Sequence, residues 1–296
     1  MLSRAGALTG HAVSDERLAD LAANAEAGWA RARELDAEAR RAWEHAHKLD
    51  AALQDYRKLL ERAVYNADSL AVWDKSTAFL RDERFVEAYR AGMDSGHHIL
   101  RAPGSRDDIH IEWRVHVLCW AAAHGARLEG DFVECGVNTG IYSLAVCKYL
   151  GFERLDREFW LFDTFRGIPE SHMAPEERDA RIAENASLYS ECFEIAQRNF
   201  APYPRAHLVR GTVPETLANV SIGKVAYLSI DMNIVAPERA AIEHFWPRLV
   251  PGAIVVLDDY GWLHFEAQRR SMDEFAHAAG VEILTLPTGQ GLLVKP

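Results

Sequence analysis

The sequence predicts an α/β fold: a seven-stranded, mostly parallel sheet with helices on both faces, preceded by a long helix and a helical lead-in. Three observations predict it. Five short apolar runs recur between residues 131 and 258, separated by connections long enough for crossover helices. Two further runs follow, joined only by the Gly-containing turn Thr288-Gly289-Gln290, which makes a terminal hairpin and one antiparallel strand. Ahead of them, small and apolar residues keep a seven-residue period from Leu18 to Ala63 with no proline.

The chain has 296 residues, a hydrophobic fraction of 49% and a formal net charge of -11. At roughly 150 residues per domain, that is one large or two ordinary domains with a sizeable core. A phosphate backbone needs clustered Lys and Arg to release its counterions, and this chain has no basic run. Its sign also opposes docking on anionic lipid. No stretch approaches the roughly 18 apolar residues of a membrane helix, and the first residues lack the apolar run of a signal peptide. Cys119, Cys135, Cys147 and Cys192 form no CxxC pair and sit among apolar neighbours. They read as reduced, buried thiols, so the expectation is a cytoplasmic protein.

Residues 1–13 read as a loose tail, and Ser14 is a candidate helix cap. Residues 14–64 read as one long helix whose positions Leu18, Leu21, Ala25, Gly28, Ala32, Leu35, Ala39, Ala42, Ala46, Leu49, Leu53, Tyr56, Leu60 and Ala63 form a heptad stripe. A strict 3.5 period stays aligned only if helices supercoil, so a coiled coil and a homo-oligomer are expected. A helix folded back on its own domain is the alternative. Residues 65–125 read as a helical lead-in covering the front of the domain at 126–296. The strands are expected at Asp131–Cys135, Phe159–Asp163, Ala206–Arg210, Ala226–Asp231, Ala253–Asp258, Glu282–Leu286 and Gly291–Val294.

The first strand runs into a glycine turn and a helix, DFVECGVNTGIYSLAVCKYL. Gly136 and Gly140 let the backbone approach a ligand, and the helix start offers free N–H groups. Glu134, Gly136, Asn138, Thr139, Gly140 and Ser143 are therefore candidate ligand contacts. The spacing is G-x-x-x-G, not the G-x-G-x-x-G of a nicotinamide site. Glu134 suits a cationic or amine-bearing ligand better than a pyrophosphate. Asp163 ends the second strand, where a carboxylate can accept both hydroxyls of a ribose. The alternative is a helix cap or turn former for the Thr164-Phe165-Arg166-Gly167 bend. Arg210-Gly211-Thr212 is a candidate for an adenine edge.

Asp231 ends VAYLSID, and Asp258 and Asp259 end AIVVLDD. Adjacent parallel strands bring their carboxyl ends to one rim, so three carboxylates converge. Like charges that close repel, and a hard divalent cation removes the cost. Oxygen-only ligation points to Mg²⁺ rather than Zn²⁺. The alternative is that one or two of these acids cap following helices.

These pieces together resemble the macrocin O-methyltransferase family, which includes sugar O-methyltransferases. The resemblance rests on FVECGV at 132–137, LFDTFRGIP at 161–169, GTVPETL at 211–217, LSID at 228–231, WPRLVPGAIVVLDDYG at 246–261 and AQRRSMDEF at 267–275. It implies a class I methyltransferase, the Rossmann-like version of the doubly wound fold, over residues 126–296. It also implies S-adenosylmethionine and Mg²⁺ as cofactors and a sugar hydroxyl as acceptor. On it, Asp231, Asp258 and Asp259 are metal ligands, and Glu134, Gly136 and Asp163 belong to the cofactor motif.

Two departures stand out. The family's Trp-Arg-Gly-Gly is replaced by Asn138-Thr139-Gly140-Ile141, and the second acid of its D-x-D, a candidate general base, is Asn233. An amide takes no proton at neutral pH, so His264 and His172 become the first histidines to consider beside Asp231 and Asn233 as catalytic groups. Competing readings are a phenolic or polyketide acceptor and a non-catalytic assembly module built on the coiled coil. A nicotinamide oxidoreductase is disfavoured by the missing third glycine.

Overall fold

The computed structural model describes residues 15–101 and 105–296. The expected tail and the Ser14 cap lie outside the described residues. The chain divides into two compact units, Met1–Ala63 and Val64–Pro296.

The described part of the first unit is one helix, α1, Asp15–Glu61. At 47 residues it is about 70 Å long. Its surface is laced by ion pairs one turn apart: Arg31–Glu34, Arg40–Asp36 and Lys58–Asp55. None of its residues is buried, and the stripe leucines Leu18, Leu21, Leu35, Leu49 and Leu53 are exposed. A sequence this rich in charge and alanine holds its helix by propensity and surface pairs, with no core of its own.

The second unit opens with a correction to the helical lead-in expected at residues 65–125, because its first residues are strands. Strands β1 (Tyr65–Ala67) and β2 (Leu70–Val72) form a hairpin. Its two turn residues, Asp68 and Ser69, have φ of 51° and 57°, the left-handed geometry of a tight hairpin turn. Three-residue strands are too short to leave an alternating signature, so the sequence pattern hides them. The helices that follow are as expected: α2 (Glu83–Met93), capped by Asp82 accepting the Phe85 N–H at 3.0 Å, and α3 (Glu112–Gly125). They are not a separable cover. Phe85, Tyr89, Val115 and Leu118 are part of the same buried cluster as the sheet residues Phe132 and Tyr227.

The sheet elements follow: β3 (Asp131–Cys135), α4 (Ile141–Leu150), β4 (Phe159–Asp163), α5 (Arg178–Leu188), α6 (Phe193–Phe200), β5 (Ala206–Arg210), β6 (Val225–Ile230), α7 (Val235–Phe245), β7 (Leu249–Leu257), α8 (Glu266–Ala279), β8 (Leu284–Thr285) and β9 (Gly291–Val294). Strand order is β5-β4-β3-β6-β7-β9-β8, with β9 antiparallel to both neighbours. The seven-stranded, mostly parallel sheet expected from the sequence is therefore present. The β6 and β7 strands stop just before their aspartates, whose N–H groups make the last inter-strand bonds, Asp231 to the Cys135 carbonyl at 2.8 Å and Asp258 to the Ile230 carbonyl at 3.0 Å, so both side chains stand at the rim. The expected Glu282–Leu286 strand shrinks to two paired residues.

Both sheet faces are buried. The α2–α4 side packs on Phe132, Phe159 and Tyr227, and the α7–α8 side on Phe162, Leu228 and Val255. All four cysteines are buried and unpaired, as their apolar settings predict. No helix among the described residues is long and apolar enough to cross a membrane.

Candidate active site

Chain order reverses between β3 and β6: β4 and β5 build outward on one side, β6 and β7 on the other. The connections leaving β3 and β6 diverge there and open a crevice beyond the strand ends. A cavity of about 570 Å³ occupies it. Gly136, Asp163, Asp231, Asp258 and Asp259, from the ends of four strands, all line it.

The glycine turn is tight for a stated reason. Gly136 has φ of 93°, and a Cβ there would sit 1.7 Å from the Asp231 carbonyl oxygen. Only glycine lets β3 and β6 approach so closely. The turn is held from the side by Asp163, whose Oδ2 accepts the N–H groups of Val137 (2.6 Å) and Asn138 (2.8 Å). Its Oδ1 accepts Phe165 N–H at 2.5 Å. Asp163 thus does form the turn after β4, and it also fixes the loop after β3 while remaining on the cavity wall.

Other residues of the loop lie behind the wall. Thr139 is buried, its hydroxyl 2.8 Å from that of Ser95, and its carbonyl accepts from Asn199. Gly140 is a packing glycine, since a Cβ would meet the Phe200 ring at 2.7 Å. Ser143 and Glu134 are fully buried and do not line the cavity. Neither Glu134 oxygen has a hydrogen-bond partner among the described residues. Burial pushes that carboxyl well above the usual range. At the next strand end Gly211 lines the cavity, whereas Arg210 points away to Glu191 at 2.7 Å and Thr212 uses its carbonyl to hold Thr216. Asn138 does line it.

At the far end, one carboxylate oxygen from each of Asp231, Asp258 and Asp259 lies within 4.8 Å of the others. Burial, then the charges of Asp258 and Asp259, pushes the Asp231 carboxyl well up. Burial, then Glu238 and Asp258, does the same for Asp259. The Asp259 Oδ2 is buried without a partner among the described residues. An all-oxygen donor set of converging acids, one of them unsatisfied, fits a hard divalent cation. The residue in the second acid position, Asn233, sits at φ of 64° and donates its amide to Asp231 Oδ1 at 3.2 Å, so it orients the carboxylate.

Three side chains at this end carry no sequence motif. Arg114 on α3 bridges Asp258 (2.9 Å) and the hairpin residue Asp68 (2.8 and 3.0 Å). Tyr142 donates to the same Asp258 oxygen at 3.2 Å, and Gln290 donates to the other at 3.0 Å. The one signal available was a lone arginine inside the apolar run IEWRVHVLCW, since a buried charge demands a partner. The histidines singled out from sequence are elsewhere. His264 is exposed, and His172 bonds Glu215 at 3.1 Å; neither lines the cavity.

A family profile described as macrocin O-methyltransferase (TylF) matches residues 116–285. The chain belongs to the macrocin O-methyltransferase family. Among curated relatives of this family member, an 8-demethyl-8-(2,3-dimethoxy-α-L-rhamnosyl)-tetracenomycin-C 4′-O-methyltransferase of Streptomyces olivaceus is 29% identical over 165 residues, 52% of this chain and 60% of the relative. A mycinamicin III 3″-O-methyltransferase of Micromonospora griseorubida is 26% identical over 176 residues, 55% of this chain and 66% of the relative. The chain therefore spans less than two thirds of the length of these relatives. The solved structure of the O-methyltransferase NovP superposes with a TM-score of 0.58 at 19% identity, covering 74% of this chain and 99% of NovP. The fold of this family member is thus the class I methyltransferase fold.

Proposed function

We propose that the protein is an S-adenosylmethionine- and Mg²⁺-dependent O-methyltransferase acting on a sugar hydroxyl of a glycosylated metabolite. The observation that carries this reading is the single cavity, which joins the glycine turn of β3 to the acid cluster of β6 and β7. The family and the names of the two antibiotic-sugar relatives support the choice of a sugar over a phenolic acceptor.

The division of labour follows from the residues. Gly136, Val137 and Asn138 offer backbone at the cofactor end, and Asp163 keeps that backbone in place. The methyl group must be aligned with the acceptor oxygen at near-attack distance, and a rigid rim from four strands supplies that alignment. A divalent cation held by Asp231, Asp258 and Asp259 would polarise the acceptor hydroxyl. The released proton needs an acceptor other than Asp231, Asp258 and Asp259, since carboxylates that hold the cation stay ionised. Asn233 cannot take it, and among the described residues no histidine lines the cavity.

The α1 stripe would assemble the protein as a homo-oligomer. Its leucines are exposed in the single chain and keep coiled-coil spacing.

The test is calorimetric titration with S-adenosylhomocysteine and, separately, with Mg²⁺, followed by a screen of sugar-diol and catechol acceptors. Expected are an S-adenosylhomocysteine isotherm in the wild type, a Mg²⁺ isotherm lost in Asp231→Ala, and turnover on sugar diols. Absence of any S-adenosylhomocysteine isotherm sinks the enzyme reading.

A further inference from the structure

The acid cluster already holds a cation of the chain's own. The Arg114 guanidinium donates twice to Asp68 and once to Asp258 Oδ2, and its side chain is only 14% exposed. Asp68 and Asp258 are 9% and 3% exposed, so little water screens these contacts. The remaining acceptor positions of Asp258 face Tyr142 and Gln290. Its two neighbours are treated differently. Asp231 accepts only the neutral amide of Asn233, and Asp259 Oδ2 accepts nothing among the described residues. One corner of the triangle is thus paired directly with a cation, while Asp231 and Asp259 feel Arg114, and Asp259 also Arg181, only through space.

The compensating arginine is also pinned. Its fork onto Asp68 is bidentate, and Asp68 sits in the two-residue turn of the β1–β2 hairpin at left-handed φ. That hairpin is tied down in turn by Tyr65, whose hydroxyl donates to the His110 carbonyl and lies 2.9 Å from Glu112. Arg114 therefore cannot leave Asp258 without breaking a buried pair.

We infer that Arg114 is the resident counter-ion of the acid cluster and competes with a divalent cation for Asp258. The inference rests on reading the cluster as a cation site. Two cations bound to one carboxylate lie within a few ångströms of each other, and in a poorly screened pocket their repulsion is large. Arg114 accordingly sets a low affinity for the second cation, and it supplies part of the charge balance by itself.

The experiment is thermal unfolding of the full chain in EDTA and across a MgCl₂ series, for the wild type, Arg114→Gln, Arg114→Lys and Gln290→Met. In EDTA, Arg114→Gln is expected to melt below the wild type. Its Mg²⁺-induced rise in Tm should be larger, with a midpoint at least about tenfold lower in Mg²⁺. Gln290→Met keeps every charge and removes only a neutral donor to Asp258, so its midpoint should be unchanged or higher. A wild type that responds to Mg²⁺ beside an Arg114→Gln midpoint equal to or above it overturns the inference and leaves the magnesium reading standing. A silent wild type beside a responsive Arg114→Gln does the reverse: Arg114 alone balances the cluster and magnesium dependence falls. If neither responds, both fall. Should Arg114→Gln fail to fold at every Mg²⁺ concentration, Arg114→Lys decides, because lysine keeps the charge but cannot fork onto Asp68 while holding Asp258. A midpoint below the wild type then supports the competition, and one equal or above overturns it.

Discussion

Gly136 and Asp231 meet backbone to backbone: a side-chain carbon on the glycine would overlap the aspartate carbonyl, at 1.7 Å. The contact joins the ends of β3 and β6 at the point where strand order reverses, so the cofactor end and the acid end share one hinge of rigid chain. Gly136→Ala must push them apart. It is expected to lower stability by about 3 kcal/mol or more, from combined overpacking and positive-φ strain. S-adenosylhomocysteine binding should be lost even where the variant still folds at low temperature. Calorimetry on the folded fraction checks this, and wild-type affinity would refute it.

Asp163 holds the same turn from outside. Removing its carboxylate leaves the Val137, Asn138 and Phe165 N–H groups without their acceptor. Each unsatisfied buried donor costs about 1–3 kcal/mol, less where water can enter from the cavity. Asp163→Ala should therefore weaken S-adenosylhomocysteine binding by about tenfold or more and lower Tm, whereas Asp163→Asn, which keeps one acceptor oxygen, should fall between. Equal affinities in all three proteins would mean that the loop holds its shape without Asp163.

Glu238 gives a pH dependence with a defined sign. It is buried on α7, accepts the Met232 N–H at 3.3 Å, and faces the charges of Asp231 and Glu177. Burial, then Asp231, raises its pKa from 4.5 to about 8. A carboxyl whose folded pKa lies above its unfolded value binds its proton more tightly when folded. The native state is thus favoured at low pH and loses stability as pH rises from about 4.5 to about 8. Glu238→Gln should flatten that loss in EDTA, and unfolding midpoints in urea at pH 5, 7 and 9 report it. A steeper loss in the variant would assign the pH effect to other groups.

The parts of the site that were legible in the sequence are those written into local pattern. The strand ends are legible because a run of apolar β formers stops at an acid: FWLFD, VAYLSID, AIVVLDD. The glycine turn is legible because its spacing marks a strand-to-helix junction. Arg114, Tyr142 and Gln290 were not, since each lies on a different element and only the fold brings all three to Asp258. The histidines failed for the opposite reason. His264 and His172 have suitable chemistry, but His264 is exposed and His172 is engaged by Glu215, and neither lines the cavity. His264→Gln and His172→Gln should accordingly retain methyl-transfer rates within about twofold of the wild type, as surface substitutions remote from reacting atoms do. A loss of more than tenfold in either would place a proton-transfer group where the cavity has none.

The last prediction concerns α1. A 47-residue helix with no buried residue exposes Leu18, Leu21, Leu35, Leu49 and Leu53 along one heptad seam. Monomeric proteins rarely leave a continuous apolar stripe in water. Small seam residues, Gly28, Ala32, Ala39, Ala42 and Ala46, bury little area themselves but let helices come close. Beside them Trp29 and Trp43, 68% and 64% exposed, repeat two heptads apart and can lie across such a seam. Self-association through this helix would cover both features. Light scattering should then give a multiple of 33.2 kDa for the wild type. Leu35→Lys with Leu49→Lys places charge in the seam and should return the monomer mass, while the Val64–Pro296 unit, which has its own core, keeps its S-adenosylhomocysteine affinity. A monomeric wild type would instead leave the stripe to an intramolecular or heterologous partner.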